Sequence, residues 1–385
     1  MPRKRVAVLG STGSVGVQAL DVVARHPDRL EVAALAAGSN DALIADQVRQ
    51  WKPAVVSMAT EAAAQALRDR LGAGGPEVVC GDDGLVRATS GVDADIVLNA
   101  VVGAAGLSAT HEAVSRGIDV ALANKESLVM AGELIMAAAR ANNAAVLPVD
   151  SEPNALHQCL RGADATDVRR LVLTASGGPF RGWSADELAG VTPERALQHP
   201  TWKMGPRVTI DSATLMNKGF EIIETHWLFG LPADKIDVVV HPQSIVHSLI
   251  ELVDGSMIAH AGPTDMRLPI QDALSFPARW AAAVEPLDLI ASAPWTFEPA
   301  EPERYPALGL ARRALAAGGT APAILNAADE VAVAAFLEGR LAFDRIVPVV
   351  AAVLDACEVT VADSIETIFA ADAAARSEAR LRLDE

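Results

Sequence analysis

The first 150 residues alternate between two kinds of segment, and that alternation restricts the fold more than any single motif. Short, β-branched apolar runs occur at 6–10 (VAVLG), 31–37 (EVAALAA), 54–58 (AVVSM), 77–81 (EVVCG), 94–101 (ADIVLNAV), 119–124 (DVALAN) and 144–149 (AAVLPV). Between them lie stretches with helical periodicity, among them VGVQALDVVARH and ATEAAAQALRDRL. Strands separated by helices form βαβ units, and runs apolar on both faces belong to a parallel sheet covered on each side. The expectation is a doubly wound α/β domain over 1–150, with ligands outside the C-terminal ends of its strands.

After Asp150 the rhythm changes. RRLVLTASGG reads as a strand entering a glycine turn, and ALQHPTWKMGPRVTI as a loop dense in Pro, Gly and Trp. DSATLMNKGFEIIETHWLFG carries a cap signal and then helical periodicity, with Asp211 or Ser212 as the N-cap. KIDVVVHPQSIVHSLIELVDGSMIAHAG alternates like paired strands, turning at Asp254-Gly255. This part, 151–284, reads as an α+β domain with a mostly antiparallel sheet. Residues 285–307, rich in proline and acid, read as a linker across the surface, and 308–385 as a small C-terminal helical bundle.

Hydrophobic residues make up 51% of the chain but aromatics only 4%, so the cores are built from Ala, Val, Leu and Ile. The net charge, 32 − 49 = −17, repels nucleic acid and anionic membranes, so an anionic ligand must be held by local donors. Cys80, Cys159 and Cys357 form no CxxC pair and are expected to be reduced thiols. The opening apolar run is too short for a signal peptide, and no stretch reaches the roughly 18 apolar residues of a spanning helix. A cytoplasmic protein is expected.

Two motifs carry chemistry. GSTGSVG (10–16) follows the first strand and opens the first helix. Its glycines allow a tight turn and a close approach of backbone to a pyrophosphate, which free helix N–H groups then stabilise; the plainer reading is a tight turn alone. The second strand ends in AAGSN (36–40), without the acid that would bind a ribose 2′-hydroxyl. A 2′-phosphate therefore meets no repulsion, which favours NADPH over NADH, with Ser39 and Asn40 as neutral donors. The second motif is Asp150 and Glu152 at i, i+2, whose side chains point the same way on an extended segment and suit one Mg²⁺ or Mn²⁺. The plainer reading has Asp150 capping a helix and Glu152 charging its N-terminus. A third acid is offered by Glu221, which shares a helix face with Asn217 and Lys218; an ordinary Lys–Glu surface pair is the alternative.

With these pieces the chain resembles the 1-deoxy-D-xylulose 5-phosphate reductoisomerase family. The likeness is carried by GSTGSVG, LNAVVGAAGL (98–107), LANKESLV (122–129), VDSE (149–152), TASGGPF (174–180), HPTWKMG (199–205), IDSATLMNKGFE (210–221), VVHPQSIVHSLIE (239–251) and LNAADEVAVAAFL (325–337). It implies a Rossmann-like NADPH-binding domain, and a catalytic, metal-binding and dimerisation domain with a mobile loop at about 196–207. The activity implied is rearrangement of the phosphosugar and reduction by NADPH to 2-C-methyl-D-erythritol 4-phosphate, in non-mevalonate isoprenoid biosynthesis. The rearrangement is written either as a retroaldol–aldol path or as an α-ketol shift.

By the same resemblance Asp150, Glu152 and Glu221 are the ligands of one Mg²⁺ or Mn²⁺. Ser176, Ser212, Asn217 and Lys218 hold the substrate phosphate, while Lys125, Ser151 and His199 contact its carbon chain and Trp202 and Met204 cover it. The implied catalytic set is Lys125, Asp150, Glu152, Glu221 and His199. NADPH lies along Thr12, Gly13, Ser14 and Val15, with Gly38, Ser39 and Asn40 at the adenosine phosphate and Asn124, Glu126 and Gly205 nearer the nicotinamide. A homodimer is implied, with no nucleic-acid or membrane partner. Two positions depart from the pattern: Pro153 stands where the family usually has histidine, and Ser39 where it often has lysine.

His241, His247, His157 and His226 read as structural, and Glu224 as solvated or lying behind the metal ligands. The competing readings are another NADP-dependent reductase, such as a semialdehyde dehydrogenase, and a non-catalytic NADPH-binding sensor. The former needs a catalytic cysteine, which Cys159, in an apolar helical context without a suitable neighbour, does not supply.

Overall fold

All seven apolar runs form strands of one sheet in the computed structural model, which describes residues 2–202 and 204–383. They are β1 (Lys4–Leu9), β2 (Leu30–Ala37), β3 (Val55–Met58), β4 (Glu77–Cys80), β5 (Ile96–Asn99), β6 (Asp119–Leu122) and β7 (Val146–Pro148). Every pairing is parallel and the order is β4-β3-β2-β1-β5-β6-β7. The connections are α1 (Ser14–Arg25), α2 (Asp41–Trp51), α3 (Glu61–Leu71), α4 (Gly81–Ser90), α5 (Leu107–Ser115) and α6 (Lys125–Asn142). β3 and β5 are buried along their whole length, as strands covered on both faces must be. The order reverses between β1 and β5, so the binding crevice of this sheet lies where those strands end.

The chain folds as two units. The first takes in the described part of Met1–Ser127, with Glu133–Asn154 and Asp265–Glu285. Its late return is the helix α12 (Arg267–Ser275), within the range expected to belong to the α+β part. Ile270, Ala273 and Leu274 join the first unit's core. Polar ties fix the helix there: Lys4 Nζ donates to Leu274 O at 3.0 Å, and His26 Nε2 lies 3.2 Å from Gln271 Oε1.

The second unit comprises Leu128–Gly132, Ala155–Thr264 and Pro286–Glu385 in its described part. It contains most of α7 (Ser151–Leu160), then β8 (Val168–Ala175), α8 (Ala185–Ala189), α9 (Pro193–Ala196), α10 (Pro206–Thr214) and α11 (Met216–Phe229). β9 (Ile236–Val240), β10 (Val246–Leu252), β11 (Met257–Ala261) and β12 (Glu298–Pro299) complete a sheet of order β11-β10-β8-β9-β12. In this sheet, among the described residues, only β8 and β9 pair in parallel, and β10 and β11 form a hairpin closed at Asp254 and Gly255. β12 lies in the proline-rich segment expected as a plain linker and pairs with β9. His241 Nδ1 lies 2.8 Å from Thr296 O, tying the same segment to the sheet.

The C-terminal part forms α13 (Pro306–Ala317), α14 (Ala321–Leu337), α15 (Ile346–Ala356) and α16 (Ile365–Arg382) around an alanine-rich core closed by Phe336 and Phe343. One local expectation fails. Asp211 and Ser212 do not cap a helix; they lie inside α10, which begins at Pro206 with Gly205 as N-cap. Proline's fixed φ and missing N–H suit the first helical position, so the segment read as loop through 210 is helical from 206. Leu215, at φ 59°, then separates α10 from α11, and Thr214 Oγ1 accepts the Met216 N–H at 3.2 Å.

Candidate active site

In the first unit, the glycine turn is dictated by backbone packing. Gly10 has φ +80°, and a Cβ there would stand 2.4 Å from the Ala100 carbonyl oxygen, where β5 ends. A Cβ at Gly16 would stand 2.2 Å from the Gly10 carbonyl oxygen. Gly13, by contrast, is exposed and is the N-cap of α1, with no side-chain cap. The helix N–H groups beside Thr12, Ser14 and Val15 thus form a cradle suited to a phosphate. Ser11 Oγ donates to Gln47 Oε1 at 2.7 Å and Gln47 Nε2 donates back to Ser11 O at 2.8 Å, which holds the turn to α2.

Gly38, Ser39 and Asn40 are exposed at the end of β2, and Asn40 Oδ1 caps α2 by accepting the Leu43 N–H at 3.1 Å. Sequence reasoning found no basic group nearby. The structure brings Arg70 from α3 to Asp41 at 2.7 Å, and this bond holds the Asp41 carboxyl below its ordinary range.

Asn124 and Glu126, expected near the nicotinamide, are largely committed to shaping the loop after β5. Asn124 Nδ2 donates to Val101 O (2.7 Å), Gly103 O (2.9 Å) and Glu126 Oε2 (3.0 Å), and its Oδ1 accepts the Ser127 N–H at 3.2 Å. Glu126 Oε1 accepts the Gly103 N–H at 3.2 Å.

β6 and β7 are adjacent, and their C-terminal ends deliver Lys125 and Asp150 to one edge of the sheet, where the ammonium and carboxylate form a nearly buried ion pair. Asp150 and Glu152 do not share an extended segment, because α7 begins at Ser151. Asp150 Oδ1 accepts the Ser151 N–H at 3.1 Å, and Ser151 Oγ donates to Glu152 Oε2 at 2.8 Å. Asp150 thus stands at the N-cap position of α7 but, of the backbone groups there, accepts only from the adjacent N–H, and its carboxylate and that of Glu152 are hard oxygen donors at a helix N-terminus. Pro153 falls in the first turn of α7, where its missing N–H costs nothing.

In the second unit, Ser176 follows β8 and Ser212 lies near the C-terminal end of α10. His199 Nε2 reaches both hydroxyls, 3.0 Å from Ser176 Oγ and 3.2 Å from Ser212 Oγ. His199 Nδ1 accepts the N–H groups of Thr201 (3.2 Å) and Trp202 (2.9 Å). Two backbone donors at Nδ1 place the proton on Nε2, so the imidazole is neutral and donates toward the serines. Trp202 and Met204 are half-buried, with the Trp202 ring 6.1 Å from that of His247, while Lys203 lies outside the described residues. Gly205 ends this segment, with open space where a Cβ would stand.

Asn217 and Lys218 occupy the first turn of α11, and Glu221 follows, fully buried. Asn217 Nδ2 donates to Glu221 Oε1 at 2.6 Å, and the Lys218 ammonium pairs with Glu221 Oε2. This is no surface ion pair, since both partners are buried. Glu224, which sequence reasoning left open to solvent, is also fully buried. His241 is structural: its Nε2 accepts the Ile245 and Val246 N–H groups at 3.2 and 3.1 Å. Cys159 is buried, and desolvation pushes its thiol up to about 11, which disqualifies it as a nucleophile.

Burial lowers the pKa of His199 below its ordinary value of 6.5. Above that value the imidazole is neutral in folded and unfolded chain alike, and the stability it lends is lost as pH falls through the depressed value. Protonation at Nδ1 removes the acceptor of the Thr201 and Trp202 N–H groups. The emission that Trp202→Phe removes should therefore change on acidification with a midpoint below 6.5. A midpoint at or above it contradicts this assignment.

A doubly wound sheet with an uncapped glycine turn at its switch point and Lys125, Asp150 and Glu152 beyond its strand ends, in one chain with the buried Lys218–Glu221 pair on a second α+β unit, defines a two-unit dinucleotide-fold enzyme. Family models for 1-deoxy-D-xylulose 5-phosphate reductoisomerase match residues 6–132, its C-terminal domain 146–229, and a further DXP reductoisomerase C-terminal domain 261–378. The chain belongs to the 1-deoxy-D-xylulose 5-phosphate reductoisomerase family. It is 55% identical to the enzyme of that name from Anaeromyxobacter dehalogenans (99% of this chain, 97% of the relative) and 53% to that of Symbiobacterium thermophilum (98% of each). Its fold is similar to the Zymomonas mobilis reductoisomerase in complex with NADPH, with TM-score 0.92, 43% identity and full coverage of both chains. It is also similar to a DOX-P reductoisomerase in complex with NADPH, fosmidomycin and magnesium, with TM-score 0.95, 38% identity and coverage of 99% of this chain and 98% of the other. Among the described residues, no helix is long and apolar enough to cross a membrane.

Proposed function

We propose that this chain converts 1-deoxy-D-xylulose 5-phosphate to 2-C-methyl-D-erythritol 4-phosphate, using NADPH and one divalent cation, in the non-mevalonate isoprenoid pathway. The observation that carries the reading is the polar cradle of Ser176, His199 and Ser212, in the unit that also holds Asn217 and Lys218 at a helix N-terminus. Two hydroxyls, an imidazole N–H, an amide and an ammonium are the donors that a phosphate monoester needs, and they act locally against a net charge of −17.

Asp150, Glu152 and Glu221 are the cation's ligands. Their donors are all carboxylate oxygens, which suits Mg²⁺ or Mn²⁺ and not a thiolate-seeking metal. A cation held there polarises the substrate's carbonyl and offsets alkoxide charge during the rearrangement. Lys125, oriented by Asp150, offers an N–H to the same oxygens, and Ser151 contacts the carbon chain. Hydride passes from NADPH to the aldehyde carbon of the rearranged substrate, its oxygen takes a proton, and NADP⁺ is released. Trp202 and Met204 cover the ligand, which strengthens these interactions by excluding water. NADPH lies along Thr12, Gly13, Ser14 and Val15, its adenosine phosphate at Gly38, Ser39 and Asn40, and its nicotinamide toward Asn124, Glu126 and Gly205.

The protein works in the cytoplasm as a homodimer. β11 supports the second point, because it is the outermost strand of its sheet and its Met257 is half exposed.

One assay tests the reading. NADPH absorbance, followed with 1-deoxy-D-xylulose 5-phosphate, should fall only when Mg²⁺ or Mn²⁺ is supplied and should stop on chelation. A protein that binds NADPH but oxidises none of it under these conditions is the sensor of the competing reading.

A further inference from the structure

Arg207 stands in the first turn of α10, shortly after the covering segment and before Ser212. Its guanidinium is mostly buried and spans two helices. It donates to Glu330 Oε1 at 2.7 Å, Asn326 Oδ1 at 2.8 Å and Asp329 Oδ2 at 3.4 Å, all on α14. Within α10, its Nε lies 3.5 Å from Asp211 Oδ2. Its Cζ stands 5.7 Å from the ring of Phe220, the neighbour of Glu221 on α11. Glu330 is held from its other side by Arg376 of α16, whose Nε also donates to Asp372 Oδ2 at 2.6 Å.

Stability alone is a poor explanation for such a cluster. Buried ion pairs lose in desolvation much of what they gain in attraction, and apolar residues of similar volume often serve as well. Asp329 shows the cost, since burial raises its carboxyl to about 6 despite the opposing pull of Arg207. What a planar guanidinium supplies and apolar packing does not is register, because several donors in a rigid fork accept one arrangement of partners. α10 is short and has no side-chain cap at Gly205; Thr209 Oγ1 donates to Gly205 O at 2.9 Å within the turn, while Arg207 is what ties that turn to α14. Its far end carries Ser212, whose hydroxyl meets His199 Nε2 at 3.2 Å.

We propose that Arg207 is a positioning residue: by clamping the first turn of α10 to Asn326, Asp329 and Glu330, it sets the register of Ser212 and of the segment bearing His199, and so tunes affinity for the phosphorylated substrate without touching it. This rests on the phosphate reading of Ser212 and His199 given above.

The test uses the full-length chain with NADPH and Mg²⁺. Arg207→Lys keeps the charge and loses the fork. It should raise KM for 1-deoxy-D-xylulose 5-phosphate about tenfold with kcat within about a factor of two, since small misplacements far from the chemistry carry effects of this order. NADPH affinity should be unchanged, and amide hydrogen exchange at 197–202 should quicken. If Arg207→Lys fails to fold, Glu330→Gln, which keeps size and removes one charge, should give the same pattern more weakly. An unchanged KM in a folded variant overturns the proposal. So does a fall in kcat and melting temperature with exchange at 197–202 unaltered, because that marks a purely structural residue. Ser212→Ala separates the two readings. Raised KM there with wild-type KM in Arg207→Lys overturns the positioning role alone, whereas an unchanged KM in Ser212→Ala removes the phosphate reading and the proposal with it.

Discussion

Glu221→Gln lowers turnover of 1-deoxy-D-xylulose 5-phosphate by roughly two to three orders of magnitude, a loss of roughly 3–4 kcal/mol of transition-state stabilisation. The substitution is nearly isosteric, so it tests charge and not shape. Glu221 is fully buried, and both its oxygens are held, one by Asn217 and one by Lys218. An amide there removes one of the three negative charges proposed to hold the cation and weakens the ion pair with the Lys218 ammonium. The metal concentration needed for half-maximal rate rises as well. NADPH affinity survives, because the glycine turn belongs to the other unit. Steady-state kinetics over a Mg²⁺ series check this, with a fluorescence titration of NADPH as the control. A variant with near-native turnover and unchanged metal requirement would remove Glu221 from the ligand set.

Gly16→Ala damages the first unit itself. The added methyl would stand 2.2 Å from the Gly10 carbonyl oxygen and 2.5 Å from the Ser11 Cα, both backbone atoms. Relief requires the turn to move, which costs about 2–3 kcal/mol by the usual penalty for overpacking. A melting temperature lower by roughly 5 °C or more and loss of NADPH binding should follow. Gly13→Ala is the informative contrast, because its only close neighbour is the Gly10 carbonyl oxygen at 3.3 Å. That variant should melt near the wild-type temperature and still bind NADPH more weakly, as expected if Gly13 faces the ligand. Calorimetry with a NADPH titration separates the pair. A Gly16→Ala protein of native stability would show that the turn has slack the structure does not display.

The sheet strands were legible because each is a short, β-branched apolar run bounded by turn residues; its length and flanks, and not its periodicity, distinguish such a run from a buried helix. The hairpin at Asp254-Gly255 was legible from turn chemistry. The boundary at Pro206 was misread, although a proline after glycine carried the signal; the cap residues Asp211 and Ser212 competed with it and lost to tertiary placement. α12 was invisible as a member of the first unit. Its ties to Lys4 and His26 join positions some 250 residues apart, and no local pattern records such a contact. Arg70 beside Asp41 and Arg207 among the α14 acids were missed for the same reason.

By itself the sequence determined the parallel α/β sheet, the glycine turn at its first strand and the residue types of the candidate site, since strand period, turn chemistry and the hardness of carboxylate donors are local properties. Only the tertiary structure decided the state of those residues. It buried Glu221 against Lys218, set Lys125 on Asp150 by placing β6 beside β7, and placed the His199 proton on Nε2 by giving Nδ1 two backbone donors. Charge, tautomer and desolvation depend on what packs around a group, and packing partners far apart in the chain are fixed only when it folds.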